Sequence, residues 1–516
     1  MGIDKVVLVN SYNESAHTNA FMASGEAHIG LKLIRDLLAK EGFDNTILFP
    51  EKPYLRTEFV DEAWVSRYEK ELDELIEDEE NTVLGFSTAT ESYDFALELA
   101  KIARQKFPKL KIIAGGPHIR KQEIVIDEKH YFDSIFMAFL ERTEDDVLIF
   151  DVVVDGFADS FVKYVLSEGK TDFPGIYVKN TETGIGYTGK GRSKMPDVSS
   201  FPIRFRKVND TWGEIYLILE ETCQNMCGYC SIMKHERDVD INAYANAVEE
   251  ATKEVKNVLI RVADSCALKK DDLEPYESFF AELKKRKIRS LKGLYVDPQD
   301  FVGEEAYNKR FDFLNRYKVH NLFFGRDCVD HEVAKKIGRR YAFHDGEKWR
   351  RRVRTQEDLD NEKEALVRLI NDMKSDKFEF NMSNIMVPYI ITPFETYESQ
   401  RKMIDEAEGF YNMADGQYQV HVDFSMLAPF PGTWVRKKHV QLLNNPLTFS
   451  MHTSSSNDWS YDLGPQVYFM DAVFDVKRQF ISENGKHPKF FDAMRRALDT
   501  AYAGRLQQKV WHERRL

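Results

Sequence analysis

The chain has few cysteines and lacks the features that direct a protein into or across a membrane. It has five cysteines in 516 residues, too few and too unevenly placed for a disulfide framework. No apolar run reaches the length that crosses a bilayer, and residues 1–14 show no basic region followed by an apolar stretch and a cleavage site. We therefore expect a cytoplasmic protein that carries no export signal and does not cross a membrane.

Basic residues are also too scarce for a general nucleic-acid-binding protein. Lys and Arg number 72 against 85 Asp and Glu, which gives a net charge of -13, whereas neutralising a phosphate backbone needs a basic surface. The basic run at 349–354 could bind an anion, although such a run beside a helix start is more often a solvated face. A length of 516 residues exceeds what one hydrophobic core supports. The composition predicts a modular protein that binds no nucleic acid.

Three of the five cysteines are clustered. Cys223, Cys227 and Cys230 are separated by three and then two residues in the run ETCQNMCGYC. Three thiolates can bind three irons of a [4Fe-4S] cluster and leave the fourth iron open to a small molecule. The alternative is a structural zinc site completed by His235 or Cys266. Structural zinc ligands usually come as two pairs on separate turns, so a single loop favours iron.

Residues 1–170 alternate short apolar runs with amphipathic helical patterns. Strands are predicted at 6–10, 46–49, 83–87 and 111–116, with helices near 26–41, 60–77 and 92–106. This pattern predicts a doubly wound, Rossmann-like α/β domain with a parallel sheet covered on both faces.

Ligands of such domains bind beyond the carboxyl ends of the strands. Glycines at these ends could let a bulky cofactor approach the backbone, and hydroxyl groups could bond to it. The candidate residues are Ser11, Gly85, Ser87, Thr88, Gly115, Gly116, Pro117 and His118. A tight turn without a ligand is the alternative for the GGPH run at 115–118. No GxGxxG run follows the first strand, so NAD is not favoured.

A linker or hairpin rich in Gly, Pro, Ser and Thr is predicted at 171–212, and the strand after it runs into the cysteine loop. Five further strands, at 258–263, 293–297, 321–325, 384–391 and 420–427, alternate with helices near 241–256, 272–287, 303–317, 331–338, 355–375 and 395–410. Thr355 and Asp358 form a capping-box pattern at the longest helix. The pattern predicts a partial (βα)6 barrel of the TIM type over 213–440, whose active site lies at the carboxyl ends of its strands. A helical cap is expected over 441–516, with helices near 464–484 and 487–512.

Three stretches resemble one known family. The CxxxCxxC loop with Tyr229 before its third cysteine resembles the signature of radical S-adenosylmethionine (SAM) enzymes. Residues 83–120 are similar to the N-terminal cobalamin-binding domain of one large subgroup of these enzymes, and FSMLAPFPGT at 424–433 resembles the run that closes their barrel. The resemblance covers roughly residues 1–440 and implies that the chain is a radical SAM enzyme with a cobalamin-binding domain.

The resemblance also implies roles for individual residues. The three loop cysteines would bind a [4Fe-4S] cluster, the strand ends of the N-terminal domain would bind cobalamin, and the SAM-binding residues would be Tyr229, Asp264, Asp297, Asp327 and Cys328. The sequence departs from the family in two places. Asp327 and Cys328 stand where the family has a Glu-Ser pair, and the Asp-x-His-x-x-Gly run whose His binds cobalt from below is missing.

The function that the resemblance implies is methylation of an unactivated carbon of a small molecule by way of a 5'-deoxyadenosyl radical. An external electron donor of the flavodoxin or ferredoxin type would be needed. A second possibility keeps the same cofactors but ends in cyclisation, ring contraction or another rearrangement. A third is a non-catalytic iron–sulfur or zinc protein. The product mass separates the first two, because methylation adds one carbon.

Overall fold

In the computed structural model the chain forms two compact units. The first comprises Met1–Pro202, Phe430–Gly432 and Arg436–Thr453, and the second comprises Ile203–Pro429, Thr433–Val435 and Ser454–Leu516. The structure describes residues 2–10, 29–48, 62–88, 93–116, 123–126, 129–132, 143–144, 147–156, 159–178, 205–207, 209–217, 219, 225–230, 240–268, 273–344, 348–375, 377–378, 384–413, 419–429, 433–443, 459–480 and 489–503. The domain boundaries given above stay a prediction.

The first unit contains a mostly parallel sheet. In chain order its described strands are β1 (Lys5–Asn10), β2 (Asp44–Leu48), β3 (Thr82–Ser87), β4 (Lys111–Gly115), the short pairs β5 (Glu123–Ile126) with β6 (Lys129–Phe132) and β7 (Thr143–Glu144) with β8 (Val147–Leu148), then β9 (Val152–Val154) and β10 (Ile176–Val178). The six-stranded sheet has the order β10-β9-β4-β3-β1-β2. Its strands run parallel except for β10, which pairs antiparallel with β9.

Helices cover both faces of this sheet. They are α1 (Ile29–Lys40), α2 (Glu62–Leu75), α3 (Tyr93–Lys106) and α4 (Asp159–Leu166). Successive strand residues point to opposite faces, so Val7 and Val9 pack with residues of α2 and α3, whereas Val6 and Leu8 pack with residues of α1 and α4. The predicted doubly wound domain is confirmed.

The second unit contains a sheet with the order β11-β12-β13-β14-β15-β18-β19 among its described residues. Its strands, with the separate pair β16 and β17, are β11 (Phe205–Lys207), β12 (Trp212–Leu217), β13 (Asn257–Ala267), β14 (Leu291–Val296), β15 (Asn321–Phe324), β16 (Arg340–His344), β17 (Trp349–Val353), β18 (Asn384–Ile391) and β19 (Gln419–Met426). From β12 to β19 every neighbouring pair in the sheet is parallel. These six parallel strands in sequential order confirm the predicted partial barrel.

The helices of this unit alternate with the strands as the sequence pattern predicts. They are α5 (Ile241–Glu254), α6 (Glu274–Lys285), α7 (Glu304–Tyr317), α8 (His331–Ile337), α9 (Gln356–Lys374), α10 (Tyr397–Met413), α11 (Trp434–Lys438), α12 (Pro465–Phe480) and α13 (Phe490–Tyr502). The capping box of Thr355 and Asp358 is present at the start of α9. Sequence reasoning missed the antiparallel hairpin of β16 and β17 between α8 and α9.

The two C-terminal helices, α12 and α13, pack on the last strand and on α10. The Lys477 amine on α12 donates to the Asp423 carboxylate of β19 at 2.8 Å, and the ring of Phe490 on α13 lies 6.1 Å from that of Phe424. Trp459 is fully buried and its indole N–H donates to the Leu427 carbonyl just after β19. The helical region therefore covers the β19 edge of the sheet, an edge that would otherwise expose unpaired backbone groups.

No helix in the described part of the chain is long and apolar enough to span a bilayer.

Candidate functional site

The cysteine loop follows β12. Cys227 and Cys230 belong to its described part, whereas Cys223 lies outside the described residues. The Cys230 N–H donates to the Cys227 carbonyl oxygen at 3.2 Å, which closes a tight turn between the two thiols. The Sγ atom of Cys227 accepts a hydrogen bond from the Arg340 N–H at 3.4 Å. Hydrogen bonds to sulfur help to set the potential of iron–sulfur clusters, so this local arrangement fits a cluster held by thiolates.

Gly228 is held tightly between distant parts of the second unit. Its N–H donates to the Gly338 carbonyl at 2.7 Å, and its own carbonyl accepts from the Val435 N–H at 3.0 Å. A Cβ atom at this position would lie 2.7 Å from both the Ile337 carbonyl oxygen and Cε3 of Trp434. Glycine is therefore required here, because the backbone of the loop touches the end of α8 and the start of α11 directly.

Asp297 links the end of β14 to the cysteine loop. Its Oδ2 atom accepts hydrogen bonds from the Asn225 amide and the Arg354 guanidinium, each at 2.5 Å. Its Oδ1 atom accepts from the Gln299 N–H at 2.9 Å. Burial opposes ionisation of this carboxyl, but the Arg354 charge holds the pKa of Asp297 below its ordinary value. The carboxylate thus has three protein donors, including a side chain of the cysteine loop.

Asp327 makes the equivalent link from the end of β15. The Tyr229 hydroxyl donates to its Oδ2 atom at 2.7 Å, and Nε of Arg339 lies 3.1 Å from the same oxygen. Burial, and then the Asp327 charge, raise the pKa of Tyr229 well above its ordinary value. The backbone of Asp327 has a positive φ of 53° and bonds to Pro388 and Ile390 beside it. Asp297 and Asp327, which follow the neighbouring strands β14 and β15, therefore both bind the loop on which the cysteines lie.

The remaining predicted SAM-binding residues have different surroundings. Cys328 is fully buried, and burial raises the pKa of its thiol. Asp264 lies in the stretch of β13 where the pairing register with β14 shifts. The side chains of Asp264 and Cys266 lie outside what the structure describes, as does His235. The SAM-binding roles and the zinc alternative stay predictions.

The carboxylates of Asp297 and Asp327 belong to a largely buried set of ion pairs, which we term the arginine–carboxylate network. Its members are Arg326, Arg339, Arg354, Asp297, Asp327, Glu362 and Glu406. Glu362 on α9 is completely buried and contacts all three arginines of the network, at 3.2 Å for Arg326 and Arg339 and at close range for Arg354. Buried charges persist when they are paired, so each guanidinium depends on the carboxylates around it.

The network was missed because nothing in the local pattern of the sequence marks it. Arg354 belongs to the basic run at 349–354, for which a solvated face was the more usual expectation, yet it is 1% exposed. Arg350 and Arg351 are exposed, in agreement with a solvated face. Glu362 lies on a helix whose outer face is charged, and its burial follows from the packing of α9 on the sheet.

A second candidate site lies at the carboxyl edge of the first sheet. Apart from its antiparallel edge strand, the strand order is 2-1-3-4-9, and the order reverses between β1 and β3, which is where flavodoxin-like folds bind their ligands. Ser87 is paired with Gly115 across β3 and β4. The next residue, Thr88, donates to the Gly115 carbonyl from its N–H at 2.7 Å and from its hydroxyl at 2.9 Å.

Gly116 continues this edge with a φ of +131°, and a Cβ atom there would lie 2.2 Å from the Thr88 carbonyl oxygen. Gly85 lies farther back in β3, where a Cβ atom would meet Leu8 and Phe161 at 3.2 Å. The edge beside the switch point is therefore formed by backbone and small side chains, which fits a bulky planar cofactor. Ser11, Pro117 and His118 lie outside the described residues.

Glu395 is a buried carboxyl just after β18. Its Oε2 atom accepts from the Thr392 N–H at 3.2 Å, and burial raises its pKa from 4.5 to about 8. The folded protein therefore keeps a proton that the unfolded chain has released, so the free energy of unfolding should fall as pH rises from about 4.5 to about 8, by up to about 1.4 kcal/mol per pH unit. Glu395→Gln should flatten this dependence and raise the melting temperature at pH 8.

Melting temperatures measured between pH 5.5 and about 8.5 check this prediction. The exposed neighbour Glu398 offers a matched control, since Glu398→Gln should leave the slope with pH as it is in the wild type. An unchanged slope in Glu395→Gln would show that this carboxyl is ionised in the folded protein.

The fold defines a class: a cobalamin-binding-type domain followed in the chain by a partial barrel of parallel strands. Residues 23–147 match the model of the B12 binding domain family. The fold is similar to that in a structure of the radical S-adenosylmethionine methyltransferase TsrM from Kitasatospora setae with cobalamin and a [4Fe-4S] cluster bound. The TM-score is 0.52 at 13% identity, over 86% of this chain and 75% of that one. The resemblance to the cobalamin-binding subgroup of radical SAM enzymes is thus confirmed for the fold.

A second similar structure is that of hexahistidine-tagged anSMEcpe with bound AdoMet. It aligns with 52% of this chain and 59% of its own length, with 12% identity and a TM-score of 0.29. No curated protein matches the chain by sequence.

Proposed function

We propose that this protein is a cobalamin-dependent radical SAM enzyme that methylates an unactivated carbon of a small molecule. The observation that carries the proposal is the cysteine loop, which is tied to the ends of two parallel barrel strands by the Asn225–Asp297 and Tyr229–Asp327 hydrogen bonds. Barrel enzymes assemble their active sites at these strand ends. The match to a B12 binding domain and the fold shared with a methyltransferase support the proposal.

In this proposal Cys223, Cys227 and Cys230 hold a [4Fe-4S] cluster. When bound, such a cluster supplies the electron that cleaves SAM to methionine and a 5'-deoxyadenosyl radical. The Arg340 N–H would stabilise the Cys227 thiolate, since it already donates to that sulfur. The Tyr229 hydroxyl donates to Asp327, and burial moves the pKa of Tyr229 still further above neutral pH, so the hydroxyl stays a donor.

The predicted SAM-binding residues divide into two groups in this proposal. Tyr229, Asp264, Asp327 and Cys328 would line the SAM site at the strand ends. Asp297, whose carboxylate already has three donors, would instead orient Asn225 and with it the cysteine loop. An external one-electron donor of the flavodoxin or ferredoxin type would complete the system.

For cobalamin we propose the carboxyl edge of the first sheet, formed by Ser87, Thr88, Gly115 and Gly116, with Ser11, Pro117 and His118. Gly85, farther back in β3, would contribute by letting Leu8 and Phe161 pack closely behind that edge. Bound cobalamin would supply the carrier for the methyl group. The chain has no Asp-x-His-x-x-Gly run, so cobalamin would bind here without the histidine ligand that this run supplies. Thr88 and Gly116 would shape the edge that faces the cofactor.

The test is anaerobic reconstitution with iron, sulfide and cobalamin, followed by metal analysis, an absorption spectrum and incubation with SAM and a chemical reductant. We expect one [4Fe-4S] cluster and one cobalamin per chain, and the release of 5'-deoxyadenosine. An intact cluster without 5'-deoxyadenosine would contradict the enzyme proposal. With a substrate in hand, a product of unchanged carbon count would favour the rearrangement alternative over methylation.

A further inference from the structure

The hairpin of β16 and β17 lies directly against the cysteine loop. The Arg340 N–H donates to Sγ of Cys227 at 3.4 Å, and the Ala342 N–H donates to the Asn225 side chain at 2.9 Å. Both donors belong to β16, the inner strand of the pair. Its partner β17 runs antiparallel to it, with Arg351 opposite Ala342. The outer strand is therefore one strand spacing, about 5 Å, from the residues that contact the loop.

This hairpin is strongly basic in an acidic protein. Residues 339–354 contain seven Lys or Arg and two Asp or Glu, whereas the whole chain has a net charge of -13. Arg339 and Arg354 are buried and belong to the arginine–carboxylate network, so their charges are matched internally. Lys348, Arg350 and Arg351 are exposed. Successive side chains of a strand point to opposite faces, so Lys348 and Arg350 lie on one side of the outer strand and Arg351 on the other. We term the surface of β17 that these three residues flank the basic strand face.

The loop beside the hairpin also exposes an apolar side chain. Met226, directly before Cys227, is 46% exposed, which is unusual for a large hydrophobic residue in the described part of this chain. An apolar contact next to a charged patch is the usual composition of a protein-binding surface, with hydrophobic contact at the centre and polar residues at the rim. The position of Met226 adds an argument for docking that does not depend on charge.

The proposed reaction requires one electron for each SAM that is cleaved. The sulfonium gains this electron, and its C5'–S bond breaks to give methionine and the 5'-deoxyadenosyl radical, while the donor is oxidised by one electron. Besides the three loop cysteines the chain has Cys266 and Cys328, which are too few for a second cluster of cysteine ligands. The electron must therefore come from a separate donor that approaches the loop.

We propose that the basic strand face is the docking surface for an acidic electron-transfer protein of the flavodoxin type. The inference rests on the proposed function and specifies the partner of the same site. Complementary charge would raise the rate of encounter and orient the donor. The β16 strand would then separate the docked donor from Cys227, and the Arg340 N–H···Sγ bond lies on that line of approach. Because the rest of the chain is acidic, it would repel an acidic donor from other faces.

The test compares two reductants on the reconstituted enzyme. In the double variant Arg350→Glu/Arg351→Glu, cleavage of SAM driven by a reduced flavodoxin should fall about tenfold or more at low salt, whereas cleavage driven by titanium(III) citrate should match the wild type. Binding of oxidised flavodoxin, measured by calorimetry, should weaken in parallel. The matched control is Lys284→Glu/Lys285→Glu on α6, an exposed basic pair that should leave both reactions unchanged.

Each outcome separates the two proposals. If the wild type cleaves no SAM with titanium(III) citrate, the proposed function fails. If it does, but the Arg350/Arg351 variant retains wild-type rates and flavodoxin binding, the docking surface is wrong. An equal loss with both reductants would also overturn the inference, because the hairpin would then act on the cluster site itself.

Discussion

Glu362→Gln is expected to destabilise the second unit by about 2–3 kcal/mol. Glu362 is completely buried and its carboxylate contacts Arg326, Arg339 and Arg354. Removing its charge breaks three buried charge-assisted contacts at once, although Arg326, Arg339 and Arg354 each keep one other carboxylate partner. Buried contacts of this kind contribute more than a surface ion pair. Urea-induced unfolding followed by circular dichroism measures the loss.

The control for this variant lies two residues away on the same helix. Glu364 is exposed, so Glu364→Gln should change the free energy of unfolding by no more than about 0.5 kcal/mol. If both variants behave alike, the network does not carry the stabilisation that its geometry indicates.

Glu362→Gln should also reduce the amount of iron–sulfur cluster that the protein retains. Arg354 and Arg339 hold Asp297 and Asp327, and these carboxylates bind Asn225 and Tyr229 of the cysteine loop. Loosening the arginines should therefore loosen the loop. Iron per folded chain, measured after gel filtration, should fall in Glu362→Gln and stay at the wild-type level in Glu364→Gln. A destabilised variant that kept all its iron would show that the network supports the fold but not the loop.

Gly228→Ala is expected to abolish cluster binding while leaving most of the fold intact. The added Cβ would lie 2.7 Å from the Ile337 carbonyl oxygen and from Trp434, so the loop must move away from α8 and α11. That movement would displace Cys227 and Cys230 on either side of it and break the Gly228–Gly338 backbone hydrogen bond of 2.7 Å. Iron and sulfide analysis measures the effect, and far-UV circular dichroism reports whether the fold persists.

Gly409→Ala is the matched control. Gly409 lies within α10, and a Cβ atom there would meet nothing within 4 Å. Alanine is the better helix former by up to about 1 kcal/mol, so this variant should bind iron normally and unfold at the same or a slightly higher temperature. Wild-type iron content in Gly228→Ala would show that the cysteines can bind iron without the close contact of the loop with α8 and α11.

The order of strands and helices could be predicted from the sequence because it depends on local periodicity. Apolar runs such as VVLVN and VLGFS indicated buried parallel strands, and Thr355 with Asp358 indicated the start of α9. The hairpin of β16 and β17 was missed because β17 carries three arginines in five residues, a run without the apolar pattern by which strands are predicted. The hairpin forms because its tertiary contacts outweigh this local composition. Tyr341 and Ala342 are buried, and the Ala342 N–H donates to the Asn225 side chain of the cysteine loop.

The sequence by itself determined the order of the strands and predicted the kind of site. The spacing of Cys223, Cys227 and Cys230 is a local property, and so is the alternation that places them after a barrel strand. Only the tertiary structure decided how the described part of that loop is held. Asp297, Asp327, Arg340 and Gly338 reach it from about 70 to 110 positions along the chain. Asp297 and Asp327 reach the loop because parallel strands bring their carboxyl ends to one edge, and Gly338 and Arg340 reach it because the segment after α8 packs against it. Neither kind of contact leaves a periodicity in the sequence from which it could be predicted.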